Sequence, residues 1–245
     1  MMTRRPGGWI TRRPYLIWSY AYSHASAGPK ALHRLCHELN DEGLEAYVGW
    51  PEVNPEWNTP YHAAPLAGDW CAVYPEIVSG NPWNAPHVAR WVLNVPGLLR
   101  GGDKEYDPSE MVFSWSSTFL DGVPLLFLPA IELDIYTDRG EPREGMLYYV
   151  GKGLQGDVVG AQPITRAMRE DRYALADALN HATLLKSFDP VSAMNYIALL
   201  CGCPVLIVPT GERWEPAGFR ERYLAECAVF PAQLAEFIRI TQAAA

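Results

Sequence analysis

The residues best placed for chemistry lie between Ser187 and Pro209, in SFDPVSAMNYIALLCGCPVLIVP. Asp189-Pro190 interrupts a short apolar strand, and Ser192 then stands at the N-cap position of a helix. The apolar run 205–208 follows between two prolines and is typical of a strand buried on both faces of a parallel sheet. The pattern predicts a strand-helix-strand unit whose helix N-terminus can bind an anion at the carboxyl ends of the strands.

A second segment with phosphate-binding character is YVGKG, residues 149–153. Gly151 lets the backbone approach a ligand closely, and the ammonium group of Lys152 is a strong partner for a diphosphate. A turn lysine that faces solvent is the alternative. Asn195, one turn into the helix described above, is either a sugar contact or a packing amide.

Polar residues also follow the first predicted strand. His24 is a candidate general base for a hydroxyl group, because its ordinary pKa lies near neutral pH, or else a structural histidine. Gly28 either brings the loop against a ligand or supplies a turn before Pro29. Lys30 lies at a helix start, where a cation opposes the helix dipole unless an anion is near, which favours a ligand.

Glu76 and Asn81 follow a third predicted strand, again at its carboxyl end. Glu76 is a candidate base or sugar-orienting group, or a loop carboxylate bonded to backbone. Trp57 and Trp83 stand in loops rich in proline and asparagine, where flat aromatic faces suit sugar stacking.

Alternating strands and helices must position these residues. Apolar runs predict strands at 15–22, 45–48, 70–74, 111–115, 125–128 and 147–150, besides those around 184–188 and 205–208. Helical spacing predicts helices at 29–39, 85–93, 172–180, 192–200 and 231–241. This order is typical of an α/β protein with parallel sheets. The acidic, breaker-rich stretch 134–145 predicts a linker.

Four segments, in this order, resemble the two-Rossmann-domain (GT-B) glycosyltransferases, in particular small bacterial and phage members similar to family 4. They are the loop and helix at 26–35, the segment 73–94, YVGKG, and the Asp189-Pro190-x-Ser192 pattern with Cys201-Gly202-Cys203-Pro204. The resemblance implies two small Rossmann-like parallel-sheet domains facing a cleft. The acceptor domain would be 1–133, and the donor domain 146–245 would end in a helix that crosses back.

The same resemblance implies transfer of a hexose or pentose from a nucleotide-diphosphate sugar to a hydroxyl of a polysaccharide or lipid-linked glycan. No metal and no tightly bound cofactor would be needed. The implied donor-site residues are Gly28, Lys30, Gly151, Lys152, Asp189, Pro190, Ser192 and Asn195. Catalysis would involve His24 and Glu76, and the acceptor side Asn81, Trp57 and Trp83. Ile197 departs from the family, because it stands where the second of two glutamates is usual.

Two other functions stay open. A phage enzyme that glycosylates a hydroxymethylated DNA base would use the arginines Arg4, Arg5, Arg12 and Arg13 to contact phosphate. A non-catalytic nucleotide-sugar-binding or scaffolding subunit would explain Ile197 and the short chain. A Rossmann dehydrogenase is disfavoured, because no dinucleotide glycine fingerprint follows the first strand.

Composition sets broad limits. The chain has 245 residues, 49% of them hydrophobic, and a net charge of −8. A packed core is therefore expected, without a global basic field for nucleic acid. The five cysteines lack paired metal spacing and favour a reduced, cytoplasmic protein. His33 and His37 have metal-ligand spacing but no third ligand. No apolar window is long enough to predict integral membrane association, and a homodimer is left open.

Overall fold

The computed structural model describes residues 3–5, 8–10, 12–63, 65–99, 101–151, 154 and 156–243. The protein is α/β, with two mostly parallel five-stranded sheets. The chain forms two units, Met1–Pro129 with Cys227–Ala245, and Ala130–Glu226. Each unit contains one of the five-stranded sheets. Residues 134–145, predicted as a linker, lie within the second unit.

The strands are β1 (Thr3–Arg5), β2 (Gly8–Ile10), β3 (Tyr15–Ile17), β4 (Ala46–Val48), β5 (Cys71–Pro75), β6 (His87–Val92), β7 (Met111–Ser114), β8 (Met146–Tyr149), β9 (Gln162–Pro163), β10 (Leu184–Ser187), β11 (Val205–Ile207) and β12 (Glu212–Trp214). The helices are α1 (Ala27–Asp41), α2 (Arg166–Glu170), α3 (Arg172–His181), α4 (Ala193–Leu200), α5 (Phe219–Ala228) and α6 (Phe230–Ala243). β1 and β2 pair as a separate antiparallel hairpin.

The first sheet is entirely parallel, in the spatial order β4-β3-β5-β6-β7. All five residues of β5 are buried, as expected for a central strand covered on both faces. α1 joins β3 to β4, whereas the described residues of the later connections form no further helix. Loops therefore carry crossovers that helices usually make.

Helices cover one face of this sheet. α1 buries a stripe at helical spacing, formed by Ala31, Leu32, Leu35, Cys36 and Leu39. From α6, Phe237 packs against Tyr15 and Phe113, with ring centroids 6.0 Å and 4.7 Å apart. The Tyr15 hydroxyl lies 2.6 Å from that of Thr241, and burial raises the pKa of Tyr15 to about 12. The last helix therefore belongs to the first core.

Aromatic loops cover the other face. The buried cluster there consists of Leu16, Trp70, Ala72, Tyr74, Val78, Ala85 and Val88. Packed against it are the partly buried Trp18, Tyr47, Leu66, Ile77 and Trp83. Large side chains from loops thus supply the apolar contact area that a second layer of helices would otherwise provide.

The second sheet has the order β12-β11-β10-β8-β9, parallel except for β12, which pairs antiparallel with β11. α2 and α3 connect β9 to β10, and α4 connects β10 to β11. α5 packs on α4 through the rings of Phe219 and Tyr223 against Tyr196. Counted in chain order within each unit, both sheets have the strand order 2-1-3-4-5.

Two predictions about elements are wrong. Residues 85–93, predicted as a helix, contain strand β6 instead, because β5 and β7 offer backbone partners on both of its sides. The sequence HVARWV is a short apolar run, for which periodicity alone does not separate a buried strand from a helix. The strand predicted at 125–128 is reduced to a single bridge from Leu125 to Ser114.

In the described part of the chain, no helix combines the length and the apolar character needed to cross a bilayer.

Candidate functional site

The strand order places a switch point in each sheet. In both units the chain proceeds from the first strand to one side and then returns to the other side, so the first and third strands are neighbours. Ligands of such sheets bind at the carboxyl ends of those two strands. The relevant ends are those of β3 and β5 in the first unit and of β8 and β10 in the second.

The turn after β10 is locked by its own polar groups. The Ser187 hydroxyl donates to the Asp189 carbonyl (3.0 Å), and the Asn195 amide nitrogen donates to the same oxygen (2.9 Å). One carboxylate oxygen of Asp189 accepts from the Val191 N–H at 3.1 Å. Asp189 and Asn195 are both buried, whereas Pro190 is exposed. Asp189 therefore holds the turn in shape from its buried side, through contacts with the backbone.

Ser192 caps α4 as predicted. Its hydroxyl accepts from the Met194 N–H at 3.2 Å, and its backbone is extended. The side chain is only partly buried, so it remains accessible at the edge of the sheet. The positive end of an eight-residue helix is thereby directed to the switch point of the second sheet.

Gly151 brings the end of β8 against this turn. A Cβ atom at position 151 would lie 2.6 Å from a carboxylate oxygen of Asp189 and 2.8 Å from the Tyr149 hydroxyl. A larger residue would force these two side chains to move, so close approach rather than an unusual φ favours glycine here. The structure brings Gly151, Asp189 and Ser192 to one edge of the sheet, while Lys152 lies outside the described residues.

An open cavity of about 360 Å³ lies at the β8 and β9 side of the same edge. It is lined by Tyr148, Val150, Leu154, Gly156, Pro163 and Ile164. Its volume falls within the range of small-molecule sites. β9 and β10 are two strand spacings apart, roughly 10 Å, so one extended ligand could reach from the cavity to the N-terminus of α4. No sequence signal marks this cavity, because three separate segments form it.

In the first unit, His24 lies half-buried after β3. Its Nδ1 is 3.2 Å from the Tyr22 hydroxyl, and the two rings meet edge to face. Lys30 is 8% exposed in the first part of α1. A Cβ atom on Gly28 would meet no described heavy atom within 4 Å, so packing does not require glycine there.

Glu76, after β5, is 5% exposed and accepts from the Leu93 N–H at 2.9 Å. This bond ties the end of β5 to the end of β6. In the structure the Glu76 carboxylate binds a backbone N–H, and its catalytic role stays a prediction.

Sequence reasoning missed Arg90. This fully buried side chain forms a two-pronged ion pair with Glu110, with both N–O distances 2.8 Å. Its remaining N–H groups donate to the carbonyls of Pro75 (3.4 Å), Val78 (2.6 Å) and Gly80 (2.9 Å). All five guanidinium donors are thus used. Arg90 therefore fixes the loop that carries Glu76. An arginine inside an apolar run is the sequence signal that could have revealed this structural role.

The predicted acceptor residues have packing roles. The Asn81 side-chain oxygen accepts from the Ala85 N–H (2.9 Å) and the Tyr74 hydroxyl (3.1 Å), which shapes the loop before β6. Trp83 lies so close to Gly49 that a Cβ atom there would be 2.7 Å from its ring.

Trp57 is held by α1. The His37 ring stacks on it at a centroid distance of 6.1 Å, and the Arg34 guanidinium lies 5.3 Å from its centroid. The structure does not gather Trp57, Trp83 and Asn81 into a shared described contact.

The two thiols that flank Gly202 are not nucleophiles. Burial raises the pKa of both Cys201 and Cys203 to about 12, so they stay protonated at neutral pH. None of the five cysteines, all of which lie in the described part of the chain, forms a disulfide.

Metal-ligating types come together once among the described residues, where Glu141, Asp177 and His181 place oxygen and nitrogen atoms within 4.8 Å of one another. Asp177 and His181 are exposed, and Arg139 pairs with both Asp177 (3.2 Å) and Glu141 (3.6 Å). The group is a surface ion-pair network. His33 donates instead to the Tyr20 carbonyl, and His37 accepts from the Asn58 N–H.

Comparisons with known proteins yield little. No model of a known protein family matches the chain, and no curated protein matches it. Among solved structures, the chain is similar to an uncharacterized protein from Klebsiella pneumoniae subsp. pneumoniae NTUH-K2044. The TM-score is 0.43 and the identity 8%, covering 79% of this chain and 82% of that chain. A likeness at this level carries no argument about function.

Proposed function

We propose that this protein is a glycosyltransferase of the GT-B type, which moves a sugar from a nucleotide-diphosphate donor to an acceptor hydroxyl. The observation that carries the proposal is the edge of the second sheet. There Gly151, the capped N-terminus of α4 and the cavity beside β9 lie in a row at a switch point. This arrangement suits a ligand with a flat apolar end and an anionic middle.

The donor diphosphate would lie against Gly151 and the N-terminus of α4. Backbone N–H groups, the Ser192 hydroxyl and the Lys152 ammonium would bind the charge that grows on the diphosphate as the glycosidic bond breaks. The nucleobase would occupy the cavity lined by Tyr148 and Ile164. Asp189 and Asn195 would act by holding the turn, because their contacts are with its backbone. No metal is required by this scheme.

The acceptor would bind the first unit. The His24 imidazole would take the proton of the attacking hydroxyl, with the Tyr22 hydroxyl fixing the orientation of the ring at Nδ1. Glu76 would orient the acceptor, since its carboxylate is held at the end of β5 by the Leu93 N–H.

The DNA-modifying alternative receives less support. Arg13 is 8% exposed and donates to Asp69 at 3.2 Å and to the Thr241 carbonyl at 2.6 Å. It precedes β3, at the opposite end of the strand from the switch point. Arg13 is therefore committed to the fold rather than available for phosphate. The non-catalytic alternative rests on Ile197 and on the short chain, both of them features of the sequence.

Donor turnover tests the proposal. The full chain is incubated with UDP-, GDP-, ADP- and dTDP-sugars, each with simple saccharides or a duplex containing hydroxymethylcytosine, and released nucleoside diphosphate is measured. We expect release with one donor family, reduced about a hundredfold in Lys152→Ala. Lys104→Ala, which removes an exposed lysine of the first unit, is the matched control.

Release that is equal in both variants would move the donor site elsewhere. No release with any donor, from protein that is folded by circular dichroism, would leave the non-catalytic subunit. Release with the modified duplex alone would select the DNA-modifying enzyme.

A further inference from the structure

Two large aromatic side chains stay exposed at the carboxyl edge of the first sheet. Tyr20, after β3, is 53% exposed, and Trp50, after β4, is 40% exposed. Their rings meet edge to face with centroids 6.1 Å apart. Trp18 packs edge-on against Tyr20 at 4.8 Å, so the pair has a partly buried support. An adjoining exposed pair of this size is typical of a contact surface, unlike single scattered apolar residues.

The loops that carry the pair are held by backbone and buried groups. The His33 imidazole donates from Nε2 to the Tyr20 carbonyl at 3.1 Å. The Tyr22 N–H donates to the Glu52 carbonyl at 2.8 Å, which ties the loop after β3 to the loop after β4. Gly49 donates to the Ile17 carbonyl at 2.9 Å. The aromatic faces are therefore presented in a fixed arrangement, which lowers the entropy lost on binding.

Charge around the pair selects the kind of ligand. Residues 18–29 and 49–63, which follow β3 and β4, contain no lysine and no arginine, but they contain Glu52 and Glu56, both exposed. A nucleic acid would need cations along this edge to offset its phosphates. A neutral saccharide needs an aromatic face for its C–H groups and oxygen acceptors for its hydroxyls, and both are present.

We propose that Tyr20 and Trp50 form a stacking platform for a neutral saccharide ring. Its role as the acceptor contact rests on the proposed glycosyltransferase function, whereas saccharide binding stands on the platform itself. Trp57 and Trp83, the aromatics that sequence reasoning favoured, are held in packing contacts instead.

Saturation-transfer NMR on the full chain tests the platform. The probes are methyl glycosides of glucose, galactose, mannose and N-acetylglucosamine, with cellobiose and chitobiose, and a ten-residue oligothymidine. We expect transfer to the ring C–H protons of at least one saccharide. Its Kd should rise about tenfold in Tyr20→Ala and in Trp50→Ala, and stay within twofold in Tyr20→Phe and Trp50→Phe. Tyr173→Ala, which removes an aromatic that is 68% exposed in the second unit, is the matched control.

Three results would overturn the platform: no transfer to any saccharide, saccharide binding that survives both alanine changes, or binding of the oligothymidine through these rings. If an alanine variant fails to fold, protection of Trp50 in the wild type from N-bromosuccinimide by saccharide decides the same question. Nucleotide binding with no saccharide binding would reject the platform and leave the proposed function standing. The reverse result would reject the donor site and keep the platform.

Discussion

The two units share a strand order, but Arg90 of the first and Arg143 of the second bind backbone carbonyls at opposite edges of their sheets. In the first unit, Arg90 binds the carbonyls of the loop after β5, at the carboxyl edge. In the second, Arg143 precedes β8 and donates to carbonyls at the C-terminal ends of α3 and α4, including those of Leu179 and Cys201. The C-termini of such crossover helices lie at the amino edge of a parallel sheet.

This difference indicates which groups each unit leaves available for a ligand at the carboxyl edge of its sheet. At the carboxyl edge of the first sheet, arginine, carboxylate and amide side chains are committed to shaping loops, and aromatic rings remain exposed. At the same edge of the second sheet, a capped helix N-terminus and a close glycine remain available to an anion. On the proposed function, one topology would thus carry a stacking surface in one unit and a phosphate site in the other.

Replacing the two arginines gives the largest expected effects. Arg90→Met leaves the Glu110 carboxylate, 7% exposed, without its partner, and should lower the free energy of unfolding by about 3–5 kcal/mol. Arg143→Met should cost about 1–3 kcal/mol, because this side chain is 21% exposed and its carboxylate partner, Asp138, is 54% exposed, so no charge is left buried. Urea denaturation measures both. Arg239→Met, at an exposed ion pair of α6, is the control, and equal losses for Arg90 and Arg143 would contradict the comparison.

Gly202→Ala tests the amino edge of the second unit. Gly202 has φ +74°, and a Cβ atom there would press into Asp138 and the Arg143 guanidinium. Gly160 has φ +79°, with no described heavy atom within 4 Å of a Cβ atom. Gly160→Ala should therefore cost about 1 kcal/mol from backbone strain alone, and Gly202→Ala distinctly more. Equal midpoints of the two variants in thermal denaturation would show that the Arg143 side chain moves aside without lowering the free energy of unfolding.

His33 tests how firmly the loop after β3 is held. Burial lowers its pKa from 6.5, although its bond to the Tyr20 carbonyl acts in the opposite direction. The unfolded chain then binds more protons, so stability is full above about pH 6.5 and falls as the pH drops towards the folded-state pKa. The slope is at most about 1.4 kcal/mol per pH unit.

Denaturation of His33→Gln at pH 7.5, 6.5 and 5.5 should lack this component of the pH dependence. His181→Gln, at a half-exposed histidine of the second unit, should keep it. A wild-type slope retained in His33→Gln would assign the pH dependence to other groups.

Ser192→Ala gives the smallest effect on stability, about 1 kcal/mol, because one helix cap is lost. Asp171→Ala removes the cap of α3, where the carboxylate accepts from the Tyr173 and Ala174 N–H groups, and should cost a similar amount. Calorimetric unfolding of the two variants checks whether their losses of stability are equal. Of the two variants, Ser192→Ala alone should also weaken nucleotide binding.

Local signals predicted the strand-helix-strand segment of the second unit well. The Ser192 cap, the breaker at Asp189-Pro190 and the apolar run after Pro204 each act over a few residues, and the structure confirms the helix and both strands. Helices α1, α3 and α6 were predicted for the same reason, since each buries a stripe at helical spacing.

Features that depend on distant partners were not predicted. β6 is a strand because two neighbours complete its hydrogen bonds, which a single segment cannot reveal. Arg90 and Glu110 are twenty positions apart and form their ion pair only once β6 and β7 lie side by side in the sheet. The exposure of Tyr20 and Trp50 likewise follows from packing, since Trp70, another aromatic residue of the same half of the chain, is buried.

Nucleotide binding tests the central claim most directly. The full chain and the variants Lys152→Ala, Ser192→Ala and Asp171→Ala are titrated calorimetrically with UDP, GDP, ADP and dTDP. The account predicts that one nucleotide binds the wild type and Asp171→Ala alike, and binds Lys152→Ala and Ser192→Ala at least fivefold more weakly. Equal binding by all four proteins, or no binding of any nucleotide to the folded wild type, would contradict the phosphate site at the second switch point.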